Sequence, residues 1–314
     1  MRVLVTGGAG FIGSHIADAL LARGHEVLVV DDLSSGRRHN VPTDARFQEL
    51  DIRDGEGVER CLTEFAPAVI CHQAAQTSVS VSTREPLRDA SINILGSLNI
   101  LGTARKLGIE RLVFASTGGA IYGEVPAPER AETSWVPKPV SPYACSKYAF
   151  ESYLSGARVE YGFESTVLRY ANVYGPRQDP HGEAGVVAIF CDRLRAGQAL
   201  RVNAMHQQGD RGCVRDYVYV ANVVEANVRA VEGRLTAEVL NVGTGEECDT
   251  QQLAETLSQA FGVAPNLTFG ERREGDLLRS VLAPNAELAD MRLVGLEEGL
   301  GATAEWYRSV AQAH

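Results

Sequence analysis

The sequence lacks the cysteine patterns that mark a metal site or a disulfide scaffold. Its six cysteines are scattered, none belongs to a C-x-x-C pair, and only His72 stands beside a cysteine. This arrangement predicts no metal site and no disulfide framework. Scattered cysteines suit a reducing compartment, so we expect a cytoplasmic protein.

Long apolar runs and an excess of basic residues are also missing. No apolar run approaches the ~20 residues that a membrane helix needs. The opening residues, MRVLVTGGAGFIG, are too short and too glycine-rich for a signal peptide. The net charge is −10, from 30 Lys and Arg against 40 Asp and Glu. This balance argues against nucleic acid as a partner, although a few arginines are enough to bind a small anion.

What the sequence does contain is an alternation of apolar, β-rich runs with longer helical patterns. Short apolar strands separated by helices predict a doubly wound α/β fold with a parallel sheet covered on both faces. We expect this domain over 1–172 and a smaller lobe over 173–314 that returns some segments to the main sheet. The predicted strands are 3–6, 26–30, 68–72, 111–116, 165–171, 201–202, 217–220 and 239–242, and the predicted helices lie near 12–23, 55–65, 84–107 and 141–161.

A glycine-rich turn follows the first predicted strand. Gly7, Gly10 and Gly13 let the backbone turn sharply and approach a pyrophosphate, and the next helix offers its N–H groups to the anion. The second strand ends in Asp31, about twenty residues on, where a ribose diol is held. An acidic group there repels a 2′-phosphate, which favours NAD over NADP. The alternative is a glycine turn that binds nothing.

Two further segments extend this predicted site. Asp51 and Ile52, in DIRD, are candidates to flank an adenine, while Asp54 in the same segment is a candidate helix cap. The segment HQAAQ ends a strand in small residues, which permit a ligand to approach closely.

Tyr143 and Lys147 lie four residues apart in SPYACSKYAF, and so on one face of a predicted helix. A nearby ammonium and a cationic nicotinamide both favour the phenolate, so the tyrosine can take a proton from a substrate hydroxyl as a hydride leaves the same carbon. Thr117, directly after the predicted strand 111–116, can align that hydroxyl. The alternative for the pair is ordinary packing with a solvated amine.

Several segments of the chain together resemble the extended short-chain dehydrogenases/reductases, and among them the bacterial UDP-glucose 4-epimerases. The resemblance spans nearly the whole chain. The matching segments are TGGAGFIGSH (6–15), DDLSSG (31–36), STGGAIYGE (116–124), SPYACSK (141–147), LRYANVYGPRQ (168–178), GCVRDYVYV (212–220), NVGTG (241–245) and RREGD (272–276).

The resemblance implies a full set of contacts. The expected cofactor contacts are Gly7, Gly10, Phe11, Ile12, Gly13, Asp31, Asp32, Ser34, Ser35, Gly36, Asp51, Ile52, Gln73, Ala74, Ala75, Gln76, Asn93, Ser116, Tyr143, Lys147 and Tyr170. The expected nucleotide-sugar contacts are Ser78, Thr117, Asn172, Val187, Arg215, Arg273, Asp276 and Ser280. For Arg215 the alternative is a structural ion pair with Asp216.

The resemblance also implies the reaction. Related dehydratases carry an acidic residue after the catalytic hydroxyl, whereas Gly118 and Gly119 stand there in this chain. What remains is oxidation of a UDP-hexose at C4 by bound NAD, rotation of the 4-keto sugar and re-reduction. An ungapped match puts Gly118, which has no hydroxyl, at the hydroxyl position. We therefore expect a local shift that makes Thr117 the catalytic hydroxyl, with Ser116 as the alternative. Ser280 is small, which favours acceptance of UDP-N-acetylglucosamine as well.

Three other readings stay open at this point. They are another nucleotide-sugar epimerase, a 4-keto reductase acting on UDP-glucuronate or a dTDP-sugar, and a non-catalytic NAD-binding sensor. In similar proteins, the helices near 84–107 and 141–161 pair across a two-fold axis, so a homodimer through a four-helix bundle is expected.

Overall fold

A computed structural model describes residues 1–109, 111–180, 185–273 and 275–311. Its strands are β1 Arg2–Thr6, β2 Glu26–Asp31, β3 Arg46–Glu49, β4 Val69–His72, β5 Arg111–Thr117, β6 Glu164–Tyr170, β7 Asn172–Tyr174, β8 Leu200–Asn203, β9 Val214–Arg215, β10 Tyr217–Tyr219, β11 Val239–Val242, β12 Cys248–Asp249, β13 Leu267–Gly270 and β14 Arg279–Ser280. Its α-helices are α1 Phe11–Ala22, α2 Gly55–Phe65, α3 Val79–Arg84, α4 Pro86–Ala90, α5 Ser97–Lys106, α6 Gly118–Ile121, α7 Pro142–Tyr161, α8 Val186–Arg195, α9 Val220–Val231, α10 Thr250–Phe261 and α11 Leu296–Ala311. In the described ranges, no helix combines the length and the apolar character that crossing a membrane requires.

Seven strands form the central sheet in the order β11-β6-β5-β4-β1-β2-β3. The pairs β1–β2, β1–β4, β2–β3 and β4–β5 are parallel. The strand order reverses beside β1, which pairs with both β2 and β4, so the carboxyl ends of β1 and β4 lie next to each other. The predicted doubly wound fold is confirmed. β3 is missing from the predicted strands because its residues, RFQE, are mostly exposed and show no apolar run.

The central strands form because their sequences are apolar on both faces. Val3, Leu4 and Val5 of β1 are completely buried, and Val69 and Ile70 of β4 are nearly so. A strand that is apolar on both sides needs helices above and below it. The core cluster of this sheet includes Leu4, Leu62, Ile70, Leu112, Phe114, Phe150 and Leu154.

The helix that carries Tyr143 has clear start and stop signals. Ser141 accepts the Ala144 N–H at 3.2 Å, Pro142 opens the first turn, and Gly162 ends the helix in the left-handed conformation. These are the usual roles of an N-cap, an N1 proline and a C′ glycine. The helix predicted over 141–161 is confirmed.

The helix predicted over 84–107 has a different construction. It begins at Pro86, since proline has no N–H to continue the preceding helix Val79–Arg84. A π-helical segment, Ser91–Gly96, then joins α4 to α5, which ends at Lys106. Such π segments are rare and occur often at functional sites.

The chain forms two compact units, both built from separate segments. The first unit consists of 1–117, 137–169 and 224–240, and the second of 118–136, 170–223 and 241–314. The first unit thus includes one segment from beyond residue 172, the boundary that the sequence predicts.

Asp216 organises the second unit. Its buried carboxylate accepts the Thr244 N–H and Oγ1–H at 2.9 and 2.7 Å and the Gly245 N–H at 3.0 Å. Burial raises the pKa of this carboxyl, and these bonds oppose the rise. The carboxylate therefore holds the NVGTG turn, and the described residues show no ion pair between Arg215 and Asp216, which the sequence left as the alternative for Arg215.

Candidate active site

The glycine turn lies at the carboxyl end of β1, where the strand order reverses and ligands of doubly wound sheets bind. Gly7 is in the left-handed region, with φ of 67°, and a Cβ at this residue would lie 2.7 Å from the Ala74 nitrogen. A Cβ at Gly13 would run into the carbonyl oxygen of Gly7. Both positions therefore require glycine, and α1 starts close against the turn.

The start of α1 is suited to an anion. Gly10 precedes the helix, and no side chain of the described residues caps it. The N–H groups in the first turn of a helix have no partner within the helix. Those of Phe11, Ile12 and Gly13 can therefore bind the oxygens of a pyrophosphate, as the sequence predicts.

Asp31 ends β2 in a fixed, buried place. Its Oδ2 accepts the Ala9 N–H at 3.0 Å and its Oδ1 accepts the Leu33 N–H at 2.9 Å. Burial raises the pKa of this carboxyl, and the two backbone bonds oppose the rise. A Cβ at Gly36 would lie only 2.6 Å from Asp31 Oδ1. The carboxylate expected to bind a ribose is thus held by the backbone around it.

Other predicted cofactor contacts have partners inside the protein. The Asp51 carboxylate accepts the Arg53 Nε–H and N–H at 2.9 and 2.8 Å, and the bond to the Arg53 side chain lowers the pKa of Asp51. Ile52 packs in the core. Asp54 accepts the Gly57 N–H at 3.0 Å, so it does cap α2. Asp32, Ser34 and Ser35 lie exposed in the loop after β2.

The segment after β4 is tied to its surroundings by hydrogen bonds. The Ala74 N–H donates to Thr6 Oγ1 at 3.1 Å, which holds this segment against the glycine turn. The Gln76 N–H donates to Asn93 Oδ1 at 2.8 Å, and Asn93 Nδ2 donates to the Gln76 carbonyl at 2.9 Å. Asn93, a predicted cofactor contact, therefore positions this segment with its own amide. Gln73, Ala74, Ala75 and Gln76 are all partly exposed.

Thr117 and Ser116 are neighbours on β5, and their side chains have different partners. Thr117 makes a side-chain hydrogen bond with Tyr143. The Ser116 hydroxyl instead donates to the buried carboxylate of Glu151, which forms an ion pair with Arg169 at 2.6 Å. The structure thus brings Thr117, and not Ser116, to the phenol.

The pKa of Tyr143 is shifted in the direction opposite to the expected one. Burial raises the pKa to about 12, the hydrogen bond with Thr117 opposes the rise, and the negative charge of Asp89 adds to it. The lowering that we expected from Lys147 is therefore not found among the protein's own groups.

Lys147 is almost completely buried, at 3 % exposure. Its Nζ donates to the Ala115 carbonyl at 2.8 Å and lies 4.8 Å from the centre of the Phe114 ring. Burial lowers the pKa of Lys147 to about 8, while the carboxylates of Asp89 and Glu151 oppose the fall. This side chain is not a solvated amine, which excludes the alternative that the sequence left open.

The second unit brings three predicted substrate contacts into one place. Ser280 Oγ donates to the Gly119 carbonyl at 3.2 Å. A Cβ at Gly119 would lie 3.2 Å from Asn172 Oδ1, and that oxygen is buried without a hydrogen-bond partner in the described residues. Ser280 pairs in register with Arg215. A buried acceptor without a partner is a candidate ligand contact.

The remaining predicted contacts of the second unit are more dispersed. Arg215 Nη2 donates to the Leu277 carbonyl at 2.7 Å, so part of its guanidinium is already used. Val187 is buried in the core of the second unit, which leaves only its backbone for a ligand. Arg273 is exposed and Asp276 half-buried. Tyr170, at the end of β6, is buried. In the first unit, the predicted sugar contact Ser78 is buried and caps α3 through a bond from the Val81 N–H at 2.8 Å.

Three charged residues of the site were not predicted from the sequence. Asp89 lies within the predicted helix, Glu151 lies one turn after Lys147, and Arg169 lies on β6 within a matching segment. All three are buried. The sequence could have indicated Glu151, because a carboxylate four residues after a lysine lies on the same helix face. Asp89 has one local partner, Asn93, four residues later, whereas its other partner, Gln76, comes from the segment after β4.

The fold and these residues define a protein class that binds a dinucleotide for hydride transfer. The model of the NAD dependent epimerase/dehydratase family matches residues 3–243, and the chain belongs to this family. The UDP-glucose 4-epimerase of Mycolicibacterium smegmatis is 43% identical over 320 residues, covering 99% of this chain and 100% of that protein.

Two solved structures are similar over almost the full length. The crystal structure of the Thermus thermophilus UDP-glucose 4-epimerase in complex with NAD is 54% identical, with a TM-score of 0.93, and covers 98% of this chain and 99% of that one. The Thermotoga maritima UDP-glucose 4-epimerase with UDP-glucose is 46% identical, with a TM-score of 0.91, and covers 99% and 100%.

The Gly36→Ala variant tests the cradle around Asp31. The new Cβ must displace the Asp31 carboxylate or the loop, so we expect NAD affinity to fall by about 10-fold, equal to ~1.4 kcal/mol. The measurement is NAD bound per chain after gel filtration, followed by calorimetric titration. Gly301→Ala, on α11 with nothing within 4 Å of the new Cβ, is the control and should bind NAD normally. Equal affinity in both variants would contradict this account.

Proposed function

We propose that this protein is an NAD-dependent UDP-glucose 4-epimerase that interconverts UDP-glucose and UDP-galactose. The observation that carries the proposal is the buried Lys147 one turn after Tyr143 on α7, with Thr117 beside the phenol. The similarity to full-length UDP-glucose 4-epimerases supports it.

The proposed chemistry assigns a role to each of these side chains. Bound NAD supplies a hydride acceptor, a hydride donor and, when oxidised, a positive charge. Tyr143, in the phenolate form that the positive charge of oxidised NAD would favour, takes the proton of the C4 hydroxyl as the C4–H bond breaks, which leaves a carbonyl at C4. After the 4-keto sugar has rotated in the site, Tyr143 returns the proton to the C4 oxygen as the C–H bond forms on the other face of C4. Thr117 orients that oxygen through its hydroxyl.

Two features favour a net-neutral isomerisation over dehydration. Gly118 and Gly119 follow Thr117 and carry no acidic side chain that could protonate a leaving hydroxyl. The glycine cradle and the buried Asp31 suit a tightly held cofactor, which a reaction that regenerates NAD in each turnover needs.

The first test follows UDP-galactose by proton NMR with purified protein and no added cofactor. We expect UDP-glucose to appear without any 4-keto product. Tyr143→Phe should lower kcat by at least about 100-fold while NAD stays bound, because it removes only the acid/base group. No conversion of UDP-galactose by the wild type would overturn the proposed function.

The same assay distinguishes the two candidate hydroxyls. Thr117→Val removes the group that bonds Tyr143, so kcat should fall by about 10-fold or more. Ser116→Ala removes a bond to Glu151 and should affect thermal stability more than kcat. If Ser116→Ala lost activity and Thr117→Val kept it, the assignment would be reversed.

We further propose that UDP-N-acetylglucosamine is a second substrate. The small side chain of Ser280, beside Gly119 and Asn172, leaves room for a 2-acetamido group. The wild type should convert both sugars, Ser280→Tyr should convert only UDP-galactose, and Ser280→Ala should keep both. Lack of turnover of UDP-N-acetylglucosamine by the wild type would contradict this.

A homodimer is the proposed assembly. An apolar surface on the first unit carries Leu87, Leu95 and Val159, which are 86%, 60% and 85% exposed, together with Tyr153 and Tyr161. Exposed apolar groups on neighbouring helices mark an interface. In the proposed dimer, two helices of each chain would form a four-helix bundle there. Light scattering should give twice the chain mass, and Leu95→Glu with Val159→Glu should give monomers. Val263→Glu, on the second unit, is the control. A monomeric wild type would exclude this assembly.

A further inference from the structure

Asp89 is a buried carboxylate that the proposed reaction does not use. It lies on α4 and is 1% exposed. Its Oδ1 accepts Gln76 Nε2–H at 2.8 Å and Asn93 Nδ2–H at 3.1 Å. Asn93 Nδ2 also lies 3.1 Å from Ser146 Oγ, which donates to the Tyr143 carbonyl at 3.0 Å. A chain of side chains thus connects Asp89 to the first turn of α7.

Two carboxylates, those of Glu151 and Asp89, act on the Lys147 ammonium. They differ in whether a cation pairs with them. Glu151 forms a buried ion pair with Arg169, so much of its charge is neutralised. The two groups that bond Asp89 are neutral amides, and no cation pairs with its carboxylate in the described residues. Of the two, Asp89 also has the larger influence on Lys147. Its charge reaches Tyr143 as well.

The other groups that face Tyr143 and Lys147 cannot replace the negative charge of Asp89. His72, on β4, is neutral because burial lowers its pKa to about 3, and its two ring nitrogens lie within hydrogen-bond distance of hydroxyl groups. Thr117, on β5, is uncharged. An unbalanced ammonium buried beside Tyr143 would tend to lose its proton. A fixed anion is needed, and of the carboxylates that the described residues place beside Lys147, Asp89 is the one that no cation pairs with.

We propose that Asp89 is a positioning residue for hydride transfer, whose carboxylate is the fixed negative charge that balances the buried Lys147 ammonium. The proposal rests on the roles proposed above for Tyr143 and Lys147. Through its bonds to Gln76 and Asn93, the same carboxylate also holds the segment after β4 in place.

The negative charge of Asp89 should shift the proton affinities of Lys147 and Tyr143 in a defined direction. A negative charge raises the proton affinity of both Lys147 and Tyr143, so its removal should lower both. A residue with a purely structural role would leave both proton affinities unchanged. The test therefore needs a readout of protonation that does not depend on turnover.

The lysine content of the chain makes a direct readout possible. The sequence has only three lysines, Lys106, Lys138 and Lys147. Protein labelled with ¹³C at lysine Cε gives three signals, and Lys147→Met identifies the signal of Lys147. In the wild type we expect a titration midpoint near pH 8, the value that the structure indicates. In Asp89→Asn the midpoint should fall by about one unit.

The controls separate charge from packing. Glu85→Gln removes an exposed carboxylate just before the same helix and should leave the midpoint unchanged. Asp89→Glu keeps the charge and should keep a midpoint near that of the wild type. Asp89→Ser, a second neutral variant, should reproduce the fall seen with asparagine.

A folded neutral variant gives the main test, and the wild-type midpoint gives a test that needs no variant. An unchanged midpoint in a folded neutral variant overturns the proposal, and so does a wild-type midpoint below pH 7. The rate of UDP-galactose conversion against pH is the second readout, and both limbs should move to lower pH in Asp89→Asn. Loss of turnover with a shifted Lys147 midpoint would overturn the proposed substrate and support the role of Asp89.

Discussion

The first unit is organised around one costly constraint, the burial of the Lys147 ammonium. A charged amine removed from water must be compensated by hydrogen bonds and opposite charge. The chain provides the Ala115 carbonyl at 2.8 Å, the face of the Phe114 ring and two buried carboxylates. These groups come from β5, α4 and α7 itself, so the elements that carry the site must pack together before the lysine can be accommodated.

Two adjacent hydroxyls on β5 have separate partners on α7. Ser116 bonds Glu151, which pairs with Arg169, whereas Thr117 interacts with Tyr143. Glu151 lies eight residues after Tyr143, about two turns along the helix, so the two hydroxyls face different turns of α7. An ungapped family comparison puts Gly118 at the hydroxyl position, so only a local shift brings in Thr117, with Ser116 as the alternative.

The sequence predicted the features that depend on local chemistry. The glycine turn, the doubly wound sheet and the limits of α7 follow from glycine, from apolar runs and from Ser141, Pro142 and Gly162. It did not predict features that depend on contacts between distant residues. The guanidinium of Arg215 donates to the Leu277 carbonyl, 62 residues away, and no motif indicates this pairing. Nor did it predict the local pairing of the Asp51 carboxylate with Arg53, two residues later.

The direction of the Tyr143 shift shows why distant charges matter for the proposed chemistry. A helix spacing of four residues suggested that Lys147 would stabilise the phenolate, yet burial and Asp89 together favour the protonated phenol. A protonated phenol is the form that must return a proton when the sugar is reduced. Removing a hydride and a proton from the same alcohol takes no net charge from the sugar. The buried charges of Lys147 and Asp89 can therefore stay fixed through both halves of the proposed reaction, and Tyr143 alone needs to change its protonation.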